Sequence, residues 1–242
     1  MTDKDGTWLK DLQKVRDILH EEFCLLTKGQ IDFHSSIQSQ KIKSSSFNQI
    51  ERRVMIRSAF AVIEAEIFAI KKQAVERPGP GTLSPGEIAL AREVDYELAD
   101  NGTVIERAAR LQFSKNLRFA FNCFEKQCGA EHHLNVAGIG WQSLQRAIKV
   151  RHRVTHPKWP KDLEVTDNEL HDTFNAMIWF HDQVLSLLQR GTEALLTHAN
   201  KLNAETIRLK DETEILKKKT RYVKDKTKKI SRNRSMNDPS TT

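Results

Sequence analysis

The amino-acid sequence predicts an all-α protein, a helical bundle followed by a long, basic helical tail that ends in disorder. Apolar residues recur at steps of three and four through most of the chain, which is the period of an amphipathic helix. Glycine and proline number only 10 and 6 in 242 residues, and no segment alternates as a strand would. We therefore predict about six helices in residues 1–190, a heptad-bearing helical extension over 191–231 and a disordered end at 232–242.

Breaks between the predicted helices are marked by particular residues. The sequence RPGPG at residues 77–81 is a strong helix breaker. Ser84 and Thr166 are each followed three residues later by a glutamate, the capping box that begins a helix, and Gly191 marks an expected helix end. The predicted helices cover residues 7–26, 48–76, 84–102, 104–127, 141–155 and 166–190, with a polar loop at 29–46.

The tail, residues 191–242, carries a heptad pattern. An apolar residue recurs every seven positions, at Leu195, Leu202, Leu209, Leu216, Val223 and Ile230. The partner seam positions hold Ala199, Thr206, Thr213, Thr220 and Thr227. This pattern predicts a coiled coil or a helix that docks on a partner. A threonine seam is weak, so a single frayed helix is the alternative.

The tail also holds the net charge. Residues 210–234 contain eleven Lys or Arg and four Asp or Glu. Their net charge, eleven minus four, is +7, which equals the formal charge of the whole chain. The rest of the chain is therefore neutral. A basic tail predicts a polyanionic partner such as nucleic acid, and a soluble tail without a partner fits the same composition.

Several classes of protein are disfavoured. The three cysteines, Cys24, Cys123 and Cys128, have no framework spacing, so we expect reduced thiols in a cytoplasmic protein. No apolar run approaches the roughly 20 residues of a membrane helix, and the N-terminus lacks a signal-peptide core. The absence of a phosphate-binding glycine loop and of carboxylates with metal spacing disfavours an ATPase or a metal-dependent nuclease. We expect no cofactor and no metal.

The segment AIKVRHRVTHPKWPKD, residues 147–162, is the candidate for chemistry. Arg151 falls on the apolar stripe of its predicted helix, and a buried guanidinium needs an anion. Pro157 disfavours helical geometry at His156, which places that histidine at a helix end. His152 lies four residues before His156, and the two could form a metal pair, although no third ligand is evident. A solvated basic turn is the other interpretation of this segment.

A basic strip flanks this pair. Arg146, Lys149 and Arg153 lie on the neighbouring helical face, and Lys158 follows the proline. Such a strip could hold a phosphate backbone, so we predict these four cations as substrate-binding residues.

The segment contains an ordered motif: an arginine, a polar residue, three further residues, and a histidine followed by proline. This motif resembles that of the HEPN superfamily, which is named for higher eukaryote and prokaryote nucleotide-binding proteins. Residues 151–157 carry the motif, and the resemblance covers about residues 5–190. It implies a helical bundle and, in many members, a metal-independent endoribonuclease of toxin–antitoxin or phage-defence systems that acts as a homodimer. On this chain it implies Arg151 and His156 as the catalytic pair and His152 as the polar residue of the motif.

The chemistry of these side chains agrees with cleavage of RNA. Cleavage without metal needs a base at the 2′-hydroxyl and an acid at the leaving oxygen, and imidazole, with a pKa of about 6.5 in its free form, suits either role. A guanidinium can stabilise the charged phosphorane. One chain offers one such histidine, so two copies facing a common cleft are expected. Glu64, close to the apolar stripe of the second helix, could hold Arg151, and simple exposure of Glu64 is the alternative.

Two other functions remain open at this stage. A HEPN-like module could bind a protein or a nucleotide and cut nothing. A helical scaffold could act through its coiled-coil tail alone, and an antitoxin or another protein could dock on the C-terminal helix.

Overall fold

The computed structural model of this chain describes residues 7–27, 46–77, 79–131 and 134–236. The predicted loop at 29–46 lies outside these ranges except for Ser46, as do residues 237–242 of the predicted disordered end. The fold class is all-α with a long C-terminal helix, as the sequence predicts, and a small hairpin is its only sheet in these ranges. The elements are α1 (Thr7–Leu26), α2 (Gln49–Glu76), α3 (Pro85–Ala91), β1 (Val94–Leu98), β2 (Val104–Ala108), α4 (Phe113–Cys128), α5 (Ile139–Thr155), a 3₁₀ turn (Pro160–Leu163) and α6 (Asp167–Met236).

The chain divides into two compact units. Residues 1–194 form the first, which we call the body, and residues 195–242 form the second, whose described part we call the tail helix. α6 contributes to both units. Within the ranges given above, no helix combines the length and the apolar composition needed to cross a bilayer.

Helix α2 lies at the centre of the body. It packs against α1, α3, α4 and α5, and most of its apolar side chains are fully buried. Phe174 of α6 meets the edges of Phe23 and Phe47, at centroid distances of 6.5 and 6.4 Å. The first part of α6 therefore closes the same core that α2 organises.

Capping explains where three of the helices begin or end. Glu87 Oε2 accepts from the Ser84 amide at 2.7 Å and Ser84 Oγ from the Glu87 amide at 3.3 Å, the predicted reciprocal pair at the start of α3. Thr166 and Glu169 form the same arrangement before α6. Gly129 ends α4 in the left-handed region, at φ of 72°, where a side chain would add strain.

The prediction of two helices meeting near residues 101–104 is wrong. Helix α3 stops at Ala91, and an antiparallel hairpin follows, with Val94 opposite Ala108 and Leu98 opposite Val104. Asn101 and Gly102 turn the chain, since Gly102 has φ of 80° and Asn101 Oδ1 accepts from the Thr103 amide at 3.1 Å. An Asn-Gly pair between two short runs with β-branched residues is a hairpin signal that the helical period overrode.

Two expectations for α6 are also wrong. The helix continues through Gly191, where a Cβ atom would lie 2.7 Å from Phe124 Cε1. Glycine is therefore at position 191 because α4 approaches closely, and not because the helix ends. Residues 232–236, expected to be disordered, still belong to α6.

A similar close approach joins α5 to α6. The Cβ atom of any side chain at Gly140 would fall inside the side chain of Trp179. The rings of Trp141 and Trp179 meet edge to face, with centroids 5.6 Å apart. The start of α5 is therefore anchored to α6 by one glycine and one aromatic pair.

We expect Gly140→Ala to lower the free energy of unfolding by about 1–3 kcal/mol, because the methyl group must displace Trp179. Gly86→Ala is the matched control, since nothing lies within 4 Å of the Cβ position in α3. It should leave stability unchanged or raise it by up to about 1 kcal/mol. Urea unfolding of both variants measures the difference, and equal effects would contradict this account of Gly140.

Candidate active site

The motif residues lie at the carboxyl end of α5. The helix ends at Thr155, and His156 leaves helical geometry at φ −125° and ψ 61° immediately before Pro157. The His156 amide still donates to the His152 carbonyl at 3.0 Å. The two imidazole rings are exposed, with centroids 5.3 Å apart and planes tilted by 59°. The helix end therefore presents two adjacent imidazoles to solvent.

Arg151 is held by α2. Its Nη2 atom donates to Glu64 Oε1 at 2.6 Å, and its guanidinium carbon lies 5.6 Å from the centroid of the Phe60 ring. The side chain is 35 % exposed, so the expectation of a buried guanidinium is too strong. Arginine has five N–H donors, and Glu64 engages one of its nitrogens, so others can face a ligand.

Glu64 has a perturbed carboxyl group. Partial burial raises its pKa above the usual range, Arg151 pulls the pKa down and Glu93 pushes it up. The anion that the sequence analysis suggested for Arg151 is thus in contact with it, 87 residues away in the chain. The role of Glu64 as an orienting group stays a prediction.

The Arg153 guanidinium forms hydrogen bonds within the fold. Its Nη1 atom donates to the carbonyls of Lys161, Asp162 and Glu164 at 3.1, 3.0 and 2.8 Å. Its Nη2 atom donates to Glu169 Oε1 at 2.7 Å. This guanidinium organises the loop after the motif, which leaves it poorly placed to bind a phosphate as well.

Arg146 is also engaged. It makes a bidentate contact with Asp172, with both N–O distances 2.7 Å, and this hydrogen bonding raises its pKa. Lys149 and Lys158 are exposed. Of the four cations predicted to bind substrate, two are therefore neutralised by carboxylates, and substrate binding by the set stays a prediction.

A loop held by several hydrogen bonds follows Pro157. Asp162 Oδ2 accepts from the amides of Lys158 and Trp159 at 2.8 and 2.9 Å, and these two bonds lower the pKa of Asp162. The loop presents the Trp159 side chain to solvent, 71 % exposed. No role was predicted for Trp159, although an aromatic residue three positions after the motif histidine is an available signal.

Side chains of α2 bind the backbone at the end of α5 and in the loop that follows it. Arg57 donates to the Val154 carbonyl at 2.7 Å, which satisfies one of the free carbonyls at the end of α5. Further along, α2 side chains bind backbone groups of Leu163 and Val165. The contacts are Arg53 to the Leu163 carbonyl at 2.9 Å, Arg52 to the Val165 carbonyl at 2.9 Å, and Gln49 to the Val165 carbonyl and amide at 3.0 and 2.8 Å.

These α2 residues were missed by the sequence analysis. Only Arg52 carries a local signal, since it lies at the end of the first turn of α2, where the macrodipole disfavours a cation. Arg53 and Arg57 lie further along the helix, beyond the range of that effect. Cations at the start of a helix need acceptors elsewhere in the fold. The acceptors include the carbonyl oxygens of Val154, Leu163 and Val165, and Arg52 also pairs with a carboxylate, that of Asp167.

Two other kinds of site, a metal site and a cysteine nucleophile, have little support. No group of three or more His, Cys, Asp or Glu side chains that could hold a metal ion occurs among residues 7–27, 46–77, 79–131 and 134–236. Burial raises the pKa of Cys123 to about 11 and also raises the pKa values of Cys24 and Cys128. These thiols are therefore poor nucleophiles at neutral pH.

Comparison with protein-family models, curated proteins and solved structures finds no match to this chain. The resemblance to the HEPN superfamily accordingly depends on the motif at residues 151–157 and on the helical setting in which it lies.

We expect Arg153→Ala to lower the free energy of unfolding by about 1.5–3 kcal/mol, because it removes charge-assisted bonds to three carbonyls and a carboxylate. Lys149→Ala on the same helix is the matched control, since its side chain is exposed, and it should change stability by less than about 0.5 kcal/mol. Thermal and denaturant unfolding measure both. A similar small effect at both positions would mean that the loop does not depend on Arg153.

Proposed function

We propose that this protein is a metal-independent endoribonuclease whose active site contains Arg151 and His156. The observation that carries the proposal is the presentation of one guanidinium and two imidazoles at the end of α5. Glu64 and Phe60 hold Arg151 from α2, and His152 lies beside His156 at the helix end. These are the groups that phosphodiester cleavage without metal requires.

The roles follow from the chemistry of each group. His156 accepts the proton of the 2′-hydroxyl or donates one to the leaving 5′-oxygen, and such proton transfer contributes about 10²–10⁴-fold. Arg151 donates hydrogen bonds to the phosphorane oxygens as their charge grows. His152, with its ring centroid 5.3 Å from that of His156, provides a polar partner at the same site.

RNA is the proposed substrate. Trp159 offers an exposed face on which an unpaired base can stack, and a hydrogen-bonded loop presents it three residues from His156. Lys149 and Lys158 remain exposed nearby in the chain, and the strongly basic tail adds attraction for a polyanion. We place the enzyme among toxin or phage-defence nucleases on the motif resemblance alone.

A homodimer completes the proposed site. Each chain contributes one Arg151 and one His156, while general base and general acid act on opposite sides of the scissile phosphate. Two copies facing a common cleft would provide both. The motif is accessible for such an arrangement because its histidines are exposed.

A non-catalytic interaction module is the second candidate. The observation that favours it is the neutralisation of Arg146 by Asp172 and of Arg153 by Glu169, which removes two cations from the expected phosphate-binding strip. The experiments below distinguish the two candidates.

Purified protein incubated with total RNA in EDTA should cleave it and leave 2′,3′-cyclic phosphate or 3′-phosphate ends. His156→Ala and Arg151→Ala should each reduce the rate by about 10²-fold or more, because each removes a group acting in the transition state. Gln142→Ala is the matched control on α5, since its side chain is exposed and has no predicted role in binding or catalysis, and it should retain activity within a small factor. Folded wild-type protein that binds RNA without cleaving it would favour the interaction module.

Glu64→Gln should lower the cleavage rate by about tenfold without lowering stability. A raised pKa means that folded Glu64 binds its proton more tightly than the unfolded chain does, so its contribution to stability falls as pH rises through that range. At neutral pH the ionised carboxylate therefore costs stability, and glutamine should keep or raise the melting temperature. As pH falls through the raised pKa, wild-type activity should decline with the ion pair.

Glu66→Gln is the control for this experiment. Glu66 lies two residues further along α2, pairs with Arg16 at 3.2 Å and also has a pKa raised by burial. It should leave the cleavage rate unchanged. Equal activity of wild type, Glu64→Gln and Glu66→Gln would show that Glu64 does not position Arg151.

A further inference from the structure

The tail helix exposes a continuous apolar seam. Leu195, Leu202, Leu209 and Leu216 recur every seven residues and are 39, 54, 52 and 63 % exposed. Apolar side chains at this spacing lie along one stripe of a helix, which is the geometry of a d position in a coiled coil. A lone helix in water gains little from such a stripe, because none of this apolar area is removed from solvent.

The hydroxyl groups of the threonines beside this seam are already hydrogen-bonded. Thr206, Thr213 and Thr220 Oγ1 donate to the carbonyls of Leu202, Leu209 and Leu216 at 2.8, 2.7 and 2.9 Å. The hydroxyl of each of these three threonines therefore already has its acceptor within the same helix. Its methyl group can face a partner helix without leaving a polar group unsatisfied, which removes the main objection to a threonine seam.

The flanking charges identify the partner as a second copy of the same chain. The g positions hold Glu205 and Glu212, and the e positions five residues later hold Lys210 and Lys217. In a parallel, in-register pair each g residue faces the e residue of the next heptad on the other helix, so every one of these glutamates meets a lysine.

An antiparallel pair is disfavoured by the same positions. Antiparallel helices place e residues opposite e residues, and Lys210, Lys217 and Lys224 would then face one another. β-Branched residues at a with leucine at d favour two strands over three or four. In the parallel arrangement Lys219 faces Lys224, so pairing should be tightest between residues 195 and 217.

We propose that the tail helix forms a parallel, in-register, two-stranded coiled coil with a second copy of this chain. The proposal is independent of the catalytic function. Because the strands run in the same direction, residue 194 of each copy lies at the same end of the coiled coil. Two bodies are thereby tethered, and a tether of this kind raises their effective concentration to about the millimolar range.

Oxidative cross-linking of the full chain tests the orientation. Ala199 occupies an a position and is exposed, so cysteines at 199 in a parallel pair lie opposite each other. Ala199→Cys should give a disulfide-linked dimer, whereas Lys201→Cys, at an outward c position, should give little. The wild-type chain, with Cys24, Cys123 and Cys128 free, measures the background.

A second pair of variants tests the seam. Leu209 and Ile215 are each 52 % exposed, but Leu209 is at d and Ile215 at c. Leu209→Asp in the Ala199→Cys background should abolish the cross-link, and Ile215→Asp should retain it. Cross-linking at 199 reports on the tail helix alone, so failure of the proposed active-site dimer would not affect it.

Four results would overturn the proposal. They are absence of the 199 cross-link, an equal yield at 201, equal loss in Leu209→Asp and Ile215→Asp, and a cross-link that requires added RNA. The last would mean that RNA, and not the seam, brings the helices together.

Discussion

Side chains of α2 bind the backbone at the end of α5 and in the segment that follows it, and the position of the candidate site depends on these contacts. Arg57 and Arg53 donate to carbonyl oxygens 97 and 110 residues away in the chain. Charge-assisted bonds of this kind are worth about 1.5–3 kcal/mol each, well above an exposed ion pair. They also satisfy carbonyls that a helix end and an irregular loop leave free. Contacts from a neighbouring helix therefore help to fix the backbone on either side of His156 and Trp159.

The arginines of the motif region differ in what their donors already bind. The two terminal nitrogens of Arg153 donate to three carbonyls and a carboxylate. Arg146 makes a bidentate contact with Asp172. Arg151 contacts a single carboxylate oxygen and a ring face, and a third of its side chain remains exposed. Three arginines within eight positions of the sequence therefore have different chemical capacities, and only Arg151 combines a fixed orientation with free donors.

In the tail helix, the hydrogen bonds of the threonine hydroxyls change what threonine at a seam position implies for the stability of the interface. Threonine at a coiled-coil seam implies a buried hydroxyl and a weak interface when only its identity is known. In the helix, the hydroxyls of Thr206 and Thr213 bond to the carbonyl four residues earlier. What remains at the surface is a β-branched methyl group, which suits a two-stranded seam.

The sequence alone determined the helical class, the capped starts of α3 and α6, the end of α5 before Pro157 and the place of the motif. These features depend on interactions within a turn or two of the chain, and their residues are adjacent in the sequence. The hairpin after α3 also has a local signal, Asn101-Gly102, which the helical period obscured. Tertiary structure decided the passage of α6 through Gly191 and the partners of Arg146, Arg151 and Arg153. Gly191 is explained by Phe124 of α4 and Arg151 by Glu64, 87 residues away. Period and spacing cannot encode such contacts, because they form only when separate helices pack against one another.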